Sequence, residues 1–402
     1  MEEKKIESII AHEILDSRQK PTIEVTVNCS GVSASFAVPS GASTGIHEAH
    51  VLDTKIAIEK VNNVIAPALV GKNILNQQEL DNIMLSLDGT TNKENLGGNS
   101  MIGVSIACAK CAAKVSGQEV YQYLRTLKEI KPSRKVPYFY MNLVNGGKHA
   151  NNKLSFQEYH IVPIESNPEF AYKMGVDIKN SLKDIIFYNL GAKSVLMGDE
   201  GGFAPQISDI RKPLEFLTQA IEKNGLENKV RLALDVASSS FYENGKYKVE
   251  GTDISKEELM SIYGKLISEF NLLSIEDPFD EEEFDGFSTL KNNHPKLIVV
   301  GDDLTVTNVE RLNESISKNC VSGMIIKPNQ VGTLSETLDT MKLARENNIE
   351  LIVSHRSGET MDNFIADLAY AFGVFGLKSG APEKEERDVK YRRLIEIFNQ
   401  DK

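Results

Sequence analysis

The spacing of apolar and polar positions changes near residue 130. Before that point, the β-branched segments Thr22–Cys29 and Val32–Val38 are separated by Ser-Gly, which predicts a β-hairpin. Apolar residues then recur at helical spacing in four stretches: Ala57–Leu69, Gln77–Leu87, Asn99–Val115 and Val120–Leu127. Strands followed by helices predict a small α+β domain over residues 1–130. The charged stretch Lys128–Lys135 is the predicted linker.

Short apolar runs alternate with helical patterns over residues 131–402. The nine runs are Val136–Val144, Phe156–Ile164, Val195–Met197, Val230–Leu234, Leu272–Ile275, Leu297–Val300, Gly323–Ile326, Glu350–Val353 and Phe375–Leu377. Helix starts separate most of them, as at Ser255 and at the capping box of Thr333 and Glu336. Such alternation predicts a parallel sheet buried on both faces. The fold class is therefore α/β with a TIM-type (β/α)8-like barrel, one run is surplus, and no helix separates the first two runs.

Charged side chains stand where most of these runs end. The ends read Met197-Gly-Asp-Glu200, Leu234-Asp235, Ile275-Glu276-Asp277, Val300-Gly-Asp302-Asp303, Ile326-Lys327, Val353-Ser-His355-Arg356-Ser357 and Leu377-Lys378. A single such residue is more often a helix cap or a solvated charge. Seven consecutive ends are different, because the C-terminal strand ends of a barrel meet at one pole and build its active site. Clustered ionisable groups cost stability unless a metal or a substrate compensates them.

Three of these ends indicate a metal site. Asp235, Glu276 and Asp302 are hard oxygen ligands on successive strands, with no Cys or His close by in the sequence, which suits Mg²⁺ rather than Zn²⁺. A proton next to a carboxylate is very weakly acidic, and a divalent cation at the carboxylate stabilises the charge left by its removal.

The remaining ends supply an acid, a base and an anion site. Lys327 lies on the next strand, and we expect Mg²⁺ and Lys378 to lower its pKa so that a neutral amine can take a proton from carbon. Glu200 can donate a proton. Arg356 offers the paired N–H donors of a guanidinium to a phosphate, and Ser357 offers a hydroxyl. Together they predict proton abstraction beside a carboxylate, followed by loss of a leaving group.

Composition limits the classes of partner. The net charge of −12 argues against a nucleic acid or an anionic membrane as a partner. The sequence contains no run of about 18 apolar residues, so we expect no membrane span. Four cysteines do not form a disulfide framework, and no signal peptide is evident, so we expect a cytoplasmic protein. Cys108 and Cys111 lie in an Ala-rich run and are more simply core residues than metal ligands. The loop Val38–Gly45 lacks the spacing of a nucleotide P-loop, and its small residues suit a lid over the site.

Over nearly its whole length the sequence resembles the enolase family. The resemblance lies in Leu15-Asp-Ser-Arg18, Val38–Gly45 with His47-Glu48, Asn145-Gly-Gly-Lys-His149-Ala-Asn, Phe156-Gln-Glu158, Gly198-Asp-Glu-Gly-Gly-Phe-Ala-Pro205, Leu234-Asp-Val-Ala-Ser238, Ser274-Ile-Glu-Asp-Pro-Phe279, Gly301-Asp-Asp-Leu-Thr-Val-Thr-Asn308, Lys327-Pro-Asn-Gln-Val-Gly-Thr333 and Val353-Ser-His-Arg-Ser-Gly-Glu-Thr360. It implies a barrel that starts ββαα, which accounts for the missing early helix.

The resemblance also implies a reaction and a role for each residue. The reaction is the reversible Mg²⁺-dependent dehydration of 2-phosphoglycerate to phosphoenolpyruvate, in glycolysis and gluconeogenesis. The implied assembly is a dimer or an octamer built from dimers. Glu200 is the implied proton donor and Lys327 the proton acceptor. The implied metal ligands are Asp235, Glu276, Asp302 and, for a second Mg²⁺ that arrives with substrate, Ser43. The implied substrate contacts and pocket residues are His149, Gln157, Glu158, Lys327, His355, Arg356, Ser357 and Lys378.

Two other readings remain. Another enolase-superfamily enzyme acting on a different carboxylate would share the three metal carboxylates and a base. It would not be expected to keep Gly198–Pro205, the Ser43 loop and the Arg356-Ser357 pair together. A non-catalytic or additional binding role for a protein of enolase descent is the second, although Lys327, Glu200 and the metal ligands are all present.

Overall fold

An antiparallel sheet of three strands opens the chain. In the computed structural model, which describes residues 4–41 and 45–401, its strands are β1 (Ile6–Leu15), β2 (Pro21–Cys29) and β3 (Val32–Ala37). Strands β2 and β3 form the predicted hairpin, and Ser30 and Gly31 turn between them at φ of 53° and 73°. Two-residue hairpin turns with positive φ at both positions match the right-handed twist of the strands. The sequence patterns did not predict β1.

Helices cover one face of this sheet. They are α1 (Thr54–Lys60), continued by a π-helical turn at Val61–Ile65 and by α2 (Ala66–Leu69), then α3 (Gln77–Asp88), α4 (Gly98–Val115) and α5 (Val120–Leu127). All four predicted helical stretches are present. Helix α4 approaches the sheet closely at Gly103, where a Cβ would lie 2.8 Å from Cγ2 of Val25. Cys108 and Cys111 are completely buried in α4, which agrees with their predicted place in the core.

Eight strands close the barrel. They are β4 (Tyr138–Asn145), β5 (Glu158–Pro163), β6 (Val230–Asp235), β10 (Ser274–Glu276), β11 (Ile298–Gly301), β12 (Gly323–Ile326), β13 (Glu350–Ser354) and β14 (Gly376–Lys378). Between β6 and β10, the strands β7 (Tyr242–Glu243), β8 (Lys246–Val249) and β9 (Thr252–Ile254) form a small separate sheet. The outer helices are α6 (Pro168–Leu190), α7 (Lys212–Lys223), α8 (Lys256–Phe270), α9 (Phe284–Asn293), α10 (Val309–Ser317), α11 (Pro328–Val331), α12 (Leu334–Glu346), α13 (Phe364–Ala371) and α14 (Glu385–Gln400). The predicted caps at Ser255 and Thr333 begin α8 and α12.

The barrel starts in the order ββαα, and this order decides which residues reach the C-terminal pole. Strand β5 runs antiparallel to both of its neighbours, β4 and β6. Its first residue therefore lies at the pole where the other strands end, and Glu158 pairs with Asp235 in the register of β6. A plain alternating barrel would have sent Glu158 to the opposite pole.

One predicted strand is absent from the barrel. Val195 belongs to a short 3-10 turn, and Met197 makes only an isolated bridge with Phe203. Leu196 and Met197 are 64% and 59% exposed, and of this run Val195 alone packs, partly buried, against the core. It is the surplus run of the sequence pattern, and Glu200 consequently does not follow a barrel strand.

The N-terminal sheet is joined to the C-terminal pole of the barrel at Ser40. Its backbone exchanges two hydrogen bonds with Gly358, with N–O distances of 2.8 and 2.9 Å. The Ser40 hydroxyl donates to Asp16 (2.7 Å) and accepts from Arg18 (2.9 Å). Ser43, the predicted ligand of a second Mg²⁺, lies outside the described residues.

Candidate active site at the C-terminal pole of the barrel

Side chains from both parts of the chain line one cavity of about 190 Å³ at this pole. The predicted residues in its wall are His149, Gln157, Glu158, Glu200, Asp235, Asp302, Lys327, His355, Arg356, Ser357 and Lys378. Glu276 does not line the cavity itself, but it contacts Lys378, which does. The structure therefore brings together every predicted site residue that it describes.

Lys378 lies among three buried carboxylates at the base of the cavity. Its Nζ is 2.8 Å from Asp235 Oδ2, 2.9 Å from Glu276 Oε2 and 3.2 Å from Glu158 Oε2. Burial opposes the charge of this ammonium, but the three carboxylates raise its pKa well above the usual range. Burial and the charge of Asp235 raise the pKa of Glu276 well above its usual range. One cation thus compensates several acids in this part of the site.

Lys327 contacts Asp302. Its Nζ lies within hydrogen-bonding distance of Asp302 Oδ2, whose other oxygen accepts from Gln330 at 3.1 Å. Burial, Arg356 and Lys378 each lower the pKa of Lys327, yet the charge of Asp302 outweighs them and holds the pKa above its ordinary value. Lys378 acts in the predicted direction, and the lowered pKa expected for Lys327 beside bound Mg²⁺ stays a prediction. Lys327 conversely lowers the pKa of Asp302, against the effect of burial.

Two acidic residues that sequence reasoning did not assign, Asp277 and Asp303, lie beside Asp302. Asp277 accepts the backbone N–H groups of Asp302 (2.9 Å) and Asp303 (2.8 Å). The three carboxylates each place an oxygen within 4.8 Å of the others. Burial and Asp302 raise the pKa of Asp303 to about 7. The Glu276-Asp277 and Asp302-Asp303 doublets were the available signal, but a doublet does not show which member faces the cavity.

The donor set fits a hard divalent cation. Buried carboxylate oxygens predominate among the charged groups near Asp302, and such oxygens are the ligands that Mg²⁺ prefers. The predicted trio of Asp235, Glu276 and Asp302 is less compact. In the described residues, oxygens taken one from each of these carboxylates do not all lie within 4.8 Å of one another. Its carboxylates are contacted by two ammonium groups, Lys378 on the first two and Lys327 on the third. A cation bound by this trio would take over the charge compensation of these carboxylates.

Glu200 is held in the wall of the cavity by a loop. Gly198 and Gly202 let this loop lie against β4, because a Cβ would be 2.5 Å from His149 O at Gly198 and 2.6 Å from Asn145 Oδ1 at Gly202. Asn142 donates to Glu200 Oε2 at 3.0 Å. The imidazole nitrogens of two histidines lie near Oε1 of Glu200: His149 Nδ1 at 3.5 Å and His355 Nε2 at 3.6 Å.

His149 also contacts Glu158, with 3.3 Å between Nδ1 and Oε1. Burial disfavours its charged form, but Glu200 and Glu158 raise the pKa of His149 to about 9. Glu158 has a further partner in His160, whose Nε2 lies 2.8 Å from Oε2. Although burial raises the pKa of Glu158, the nearby Lys378 and these histidines hold it well below its usual range.

Arg356 also lines the cavity and pairs with Glu48. Nitrogens NH1 and NH2 lie 3.0 and 3.2 Å from the two Glu48 oxygens, and NH1 also donates to Asn329 at 3.2 Å. Against the effect of burial, Glu48 raises the pKa of Arg356. The neighbouring Ser357 hydroxyl accepts from Arg18 at 3.2 Å. A guanidinium and a hydroxyl side by side can bind an anion such as a phosphate.

Two family models match the chain. Residues 6–124 match "Enolase, N-terminal domain" and residues 133–401 match "Enolase, C-terminal TIM barrel domain". Similar curated proteins, each called enolase, occur in Methanocaldococcus jannaschii (44% identity), Thermococcus kodakarensis (42%) and Ureaplasma parvum (42%). The alignments cover 98% of this chain and 94%, 94% and 96% of these relatives. Within the described residues, no helix is long and apolar enough to cross a membrane.

Proposed function

Because this chain belongs to the enolase family, whose enzymes are phosphopyruvate hydratases and therefore lyases, we propose that it interconverts 2-phospho-D-glycerate and phosphoenolpyruvate. The proposed cofactor is Mg²⁺, and the proposed pathways are glycolysis and gluconeogenesis. The observation that carries the proposal is the placement of Lys327, Glu200 and Arg356 around one small cavity with buried carboxylates at its base. These are a base, an acid and an anion-binding group.

Lys327 is the proposed base. Its Nζ, as the neutral amine, takes the proton from carbon 2 of the substrate, which leaves an electron pair beside the carboxylate. Arg356 and Lys378 favour the neutral amine, and a carboxylate neutralised by a bound cation no longer opposes them. When bound by Asp235, Glu276 and Asp302, Mg²⁺ supplies positive charge that stabilises the negative charge developing on the substrate carboxylate.

Glu200 is the proposed acid. The electron pair on carbon 2 forms the double bond to carbon 3 while the bond from carbon 3 to its hydroxyl breaks. Glu200 gives its proton to this hydroxyl, which leaves as water, and in the reverse direction its carboxylate takes a proton from the attacking water. Asn142 and the two histidines near its oxygens support the carboxylate that remains after proton donation.

The phosphate is proposed to bind at Arg356 and Ser357, with His149, Gln157, Glu158, His355 and Lys378 as further substrate contacts and pocket residues. By the family resemblance, Ser43 joins the ligands of a second Mg²⁺ that arrives with substrate. Two parts, residues 1–130 and residues 131–402, are proposed as the domains. We further propose a homo-oligomer in the cytoplasm, for which light scattering of the purified protein is a direct test of the assembly.

Phosphoenolpyruvate absorbs in the ultraviolet, and its appearance from 2-phosphoglycerate tests the proposal. We expect activity with Mg²⁺, none after chelation, and recovery when Mg²⁺ is restored. Glu276→Gln is the matched variant, because it keeps the size of a proposed metal ligand and removes its charge. A folded, Mg²⁺-saturated protein that forms no product would contradict the proposal.

A further inference from the structure

Arg387 on α14 is a completely buried cation that bonds to backbone carbonyls and to an imidazole. Its NH1 donates to Arg356 O at 2.5 Å and also contacts His355 Nδ1, and its NH2 donates to Ser357 O at 2.6 Å. The nearest carboxylate recorded in the described residues is Glu386, 4.0 Å from Nε. A buried charge costs free energy unless it is well compensated. This placement therefore indicates an orienting role beyond packing.

The contact between Arg387 and His355 determines which imidazole nitrogen carries the proton. A guanidinium only donates hydrogen bonds, so the Nδ1 that faces it must accept and cannot carry a proton. A neutral imidazole with a bare Nδ1 carries its proton on Nε2. The Nε2 of His355 lies 3.6 Å from Oε1 of Glu200. The donor side of the ring thus faces Glu200.

We propose that Arg387 is a positioning residue that fixes the Nε2–H tautomer of His355 and thereby aims an N–H group at Glu200. Asn142 already donates to the other oxygen of Glu200 at 3.0 Å. With both oxygens facing an N–H donor, the carboxylate left after proton transfer is stabilised. The kinetic part of this inference rests on the proposed role of Glu200 as the acid. The tautomer itself does not.

The charges that face His355 favour the neutral ring that this role requires. Burial lowers the pKa of His355, and Arg387 from α14 lowers it further. Glu158 from β5 raises it, while Lys378 from β14 and Lys327 after β12 lower it, and Glu200 faces Nε2 at 3.6 Å. The outcome is a pKa well below the usual range for histidine. His355 is therefore expected to remain neutral across the physiological pH range.

The tautomer can be measured without any activity. Nitrogen NMR of the full-length protein with ¹⁵N-labelled histidine distinguishes a protonated from a bare ring nitrogen, and His355→Gln identifies the signals of His355. We expect a bare Nδ1 in the wild-type protein. Arg387→Met should produce a mixture of tautomers and a His355 pKa that moves upward. An unchanged Nδ1 signal and titration in that variant would overturn the proposal.

Two further variants keep this test decisive. Arg392→Met makes the same change on α14 at a side chain that is 71% exposed and pairs with Asp388, so it should leave the His355 signals unchanged. If Arg387→Met does not fold, Arg387→Gln keeps a polar side chain at the same place. Its amide oxygen can accept from an Nδ1–H and its NH₂ can donate to a bare Nδ1, so we expect a mixture of tautomers there too. A wild-type tautomer ratio in Arg387→Gln would refute the role of the guanidinium.

Kinetics test whether Arg387 acts through His355. Arg387→Met should lower kcat about 10- to 100-fold, the usual effect of losing a residue that orients a catalytic group, with a smaller change in KM. In a His355→Gln background, the same substitution should have a much smaller effect on kcat. A full effect in that background would mean that Arg387 acts by another route. Should the wild-type protein prove inactive, the NMR result still decides the tautomer.

Discussion

Glu48 and Arg356 form a buried bidentate pair at the edge of the catalytic cavity. Both terminal nitrogens of the guanidinium contact the carboxylate, and the two side chains are only 4% and 5% exposed. Glu48 Oε1 also accepts the backbone N–H of Gly45 at 3.1 Å. The proposed phosphate-binding arginine is thus held by a residue that follows the Val38–Gly45 loop, and the pair links the two parts of the chain.

Replacing Glu48 should show whether Glu48 and a bound anion compete for Arg356. Breaking a buried ion pair costs about 3–5 kcal/mol because it leaves an uncompensated charge, so Glu48→Ala should lower the free energy of unfolding by this order. Inorganic phosphate can restore a counter-charge. It should therefore raise the Tm of Glu48→Ala more than that of the wild-type protein.

Calorimetry across a series of phosphate concentrations measures this difference. Glu282→Gln is the matched control, because Glu282 is 52% exposed and pairs with His47 outside the cavity. That variant should respond to phosphate as the wild-type protein does. Equal phosphate responses of wild-type and Glu48→Ala would show that Glu48 does not oppose anion binding at Arg356.

Lys327→Ala should abolish exchange of the carbon-2 proton of 2-phosphoglycerate with solvent. A general base contributes about 10²- to 10⁴-fold to rate, so dehydration should fall by at least about 100-fold. Proton NMR in deuterated water follows the exchange, and product absorbance follows dehydration. Lys342→Met, at a side chain 43% exposed on α12, is a lysine control that should exchange normally. Exchange retained in Lys327→Ala would reassign the base.

The sequence predicted the barrel well because its strands are short apolar runs whose ends carry charge. The pattern could not distinguish the run Val195–Met197 from a strand, since an apolar run carries no information on whether a core lies beside it. The structure leaves Leu196 and Met197 largely exposed. Glu200 was therefore assigned to the correct cavity by its residue type and sequence context, but to the wrong kind of element.

Long-range pairs explain what sequence reasoning missed in the site. Glu48 and Arg356 are 308 residues apart, and Arg387 reaches His355 from a helix that the strand-end pattern does not include. The same holds for the charge of Asp302, which opposes the lowering of the Lys327 pKa by Lys378. The pattern showed that Lys378 and several acids share the pole, but not that Asp302 is the acid in contact with Lys327.

Lys378→Met should destabilise the metal-free protein and increase its response to Mg²⁺. The ammonium lies within 3.2 Å of Asp235, Glu276 and Glu158, so its loss leaves buried carboxylates that repel one another. The expected cost is about 3–5 kcal/mol, as for other broken buried pairs. Mg²⁺ binds the folded state and supplies the missing charge, so it should raise the Tm of the variant more than that of the wild-type protein. Thermal unfolding after chelation and with Mg²⁺ measures both effects, and identical Mg²⁺-induced shifts would argue against binding beside Lys378.

His149 should make stability depend on pH between about 6.5 and 9. Nearby Glu200 and Glu158 raise its pKa from 6.5 to about 9, against the effect of burial. Because the folded chain then binds the proton more tightly than the unfolded chain, the contribution is complete below pH about 6.5 and is lost as pH rises through 9. It amounts to at most about 3.5 kcal/mol, from about 1.4 kcal/mol for each unit of pKa difference.

Urea unfolding at a series of pH values, in wild-type protein and His149→Gln, isolates this contribution. Glutamine keeps polar atoms at the site but cannot titrate, and the groups remote from His149 titrate in both proteins. The free energy of unfolding of the wild-type protein should therefore fall relative to that of the variant as pH rises from 6.5 to 9. A difference that stays constant across this range would mean that Glu158 and Glu200 do not hold a protonated His149 between them.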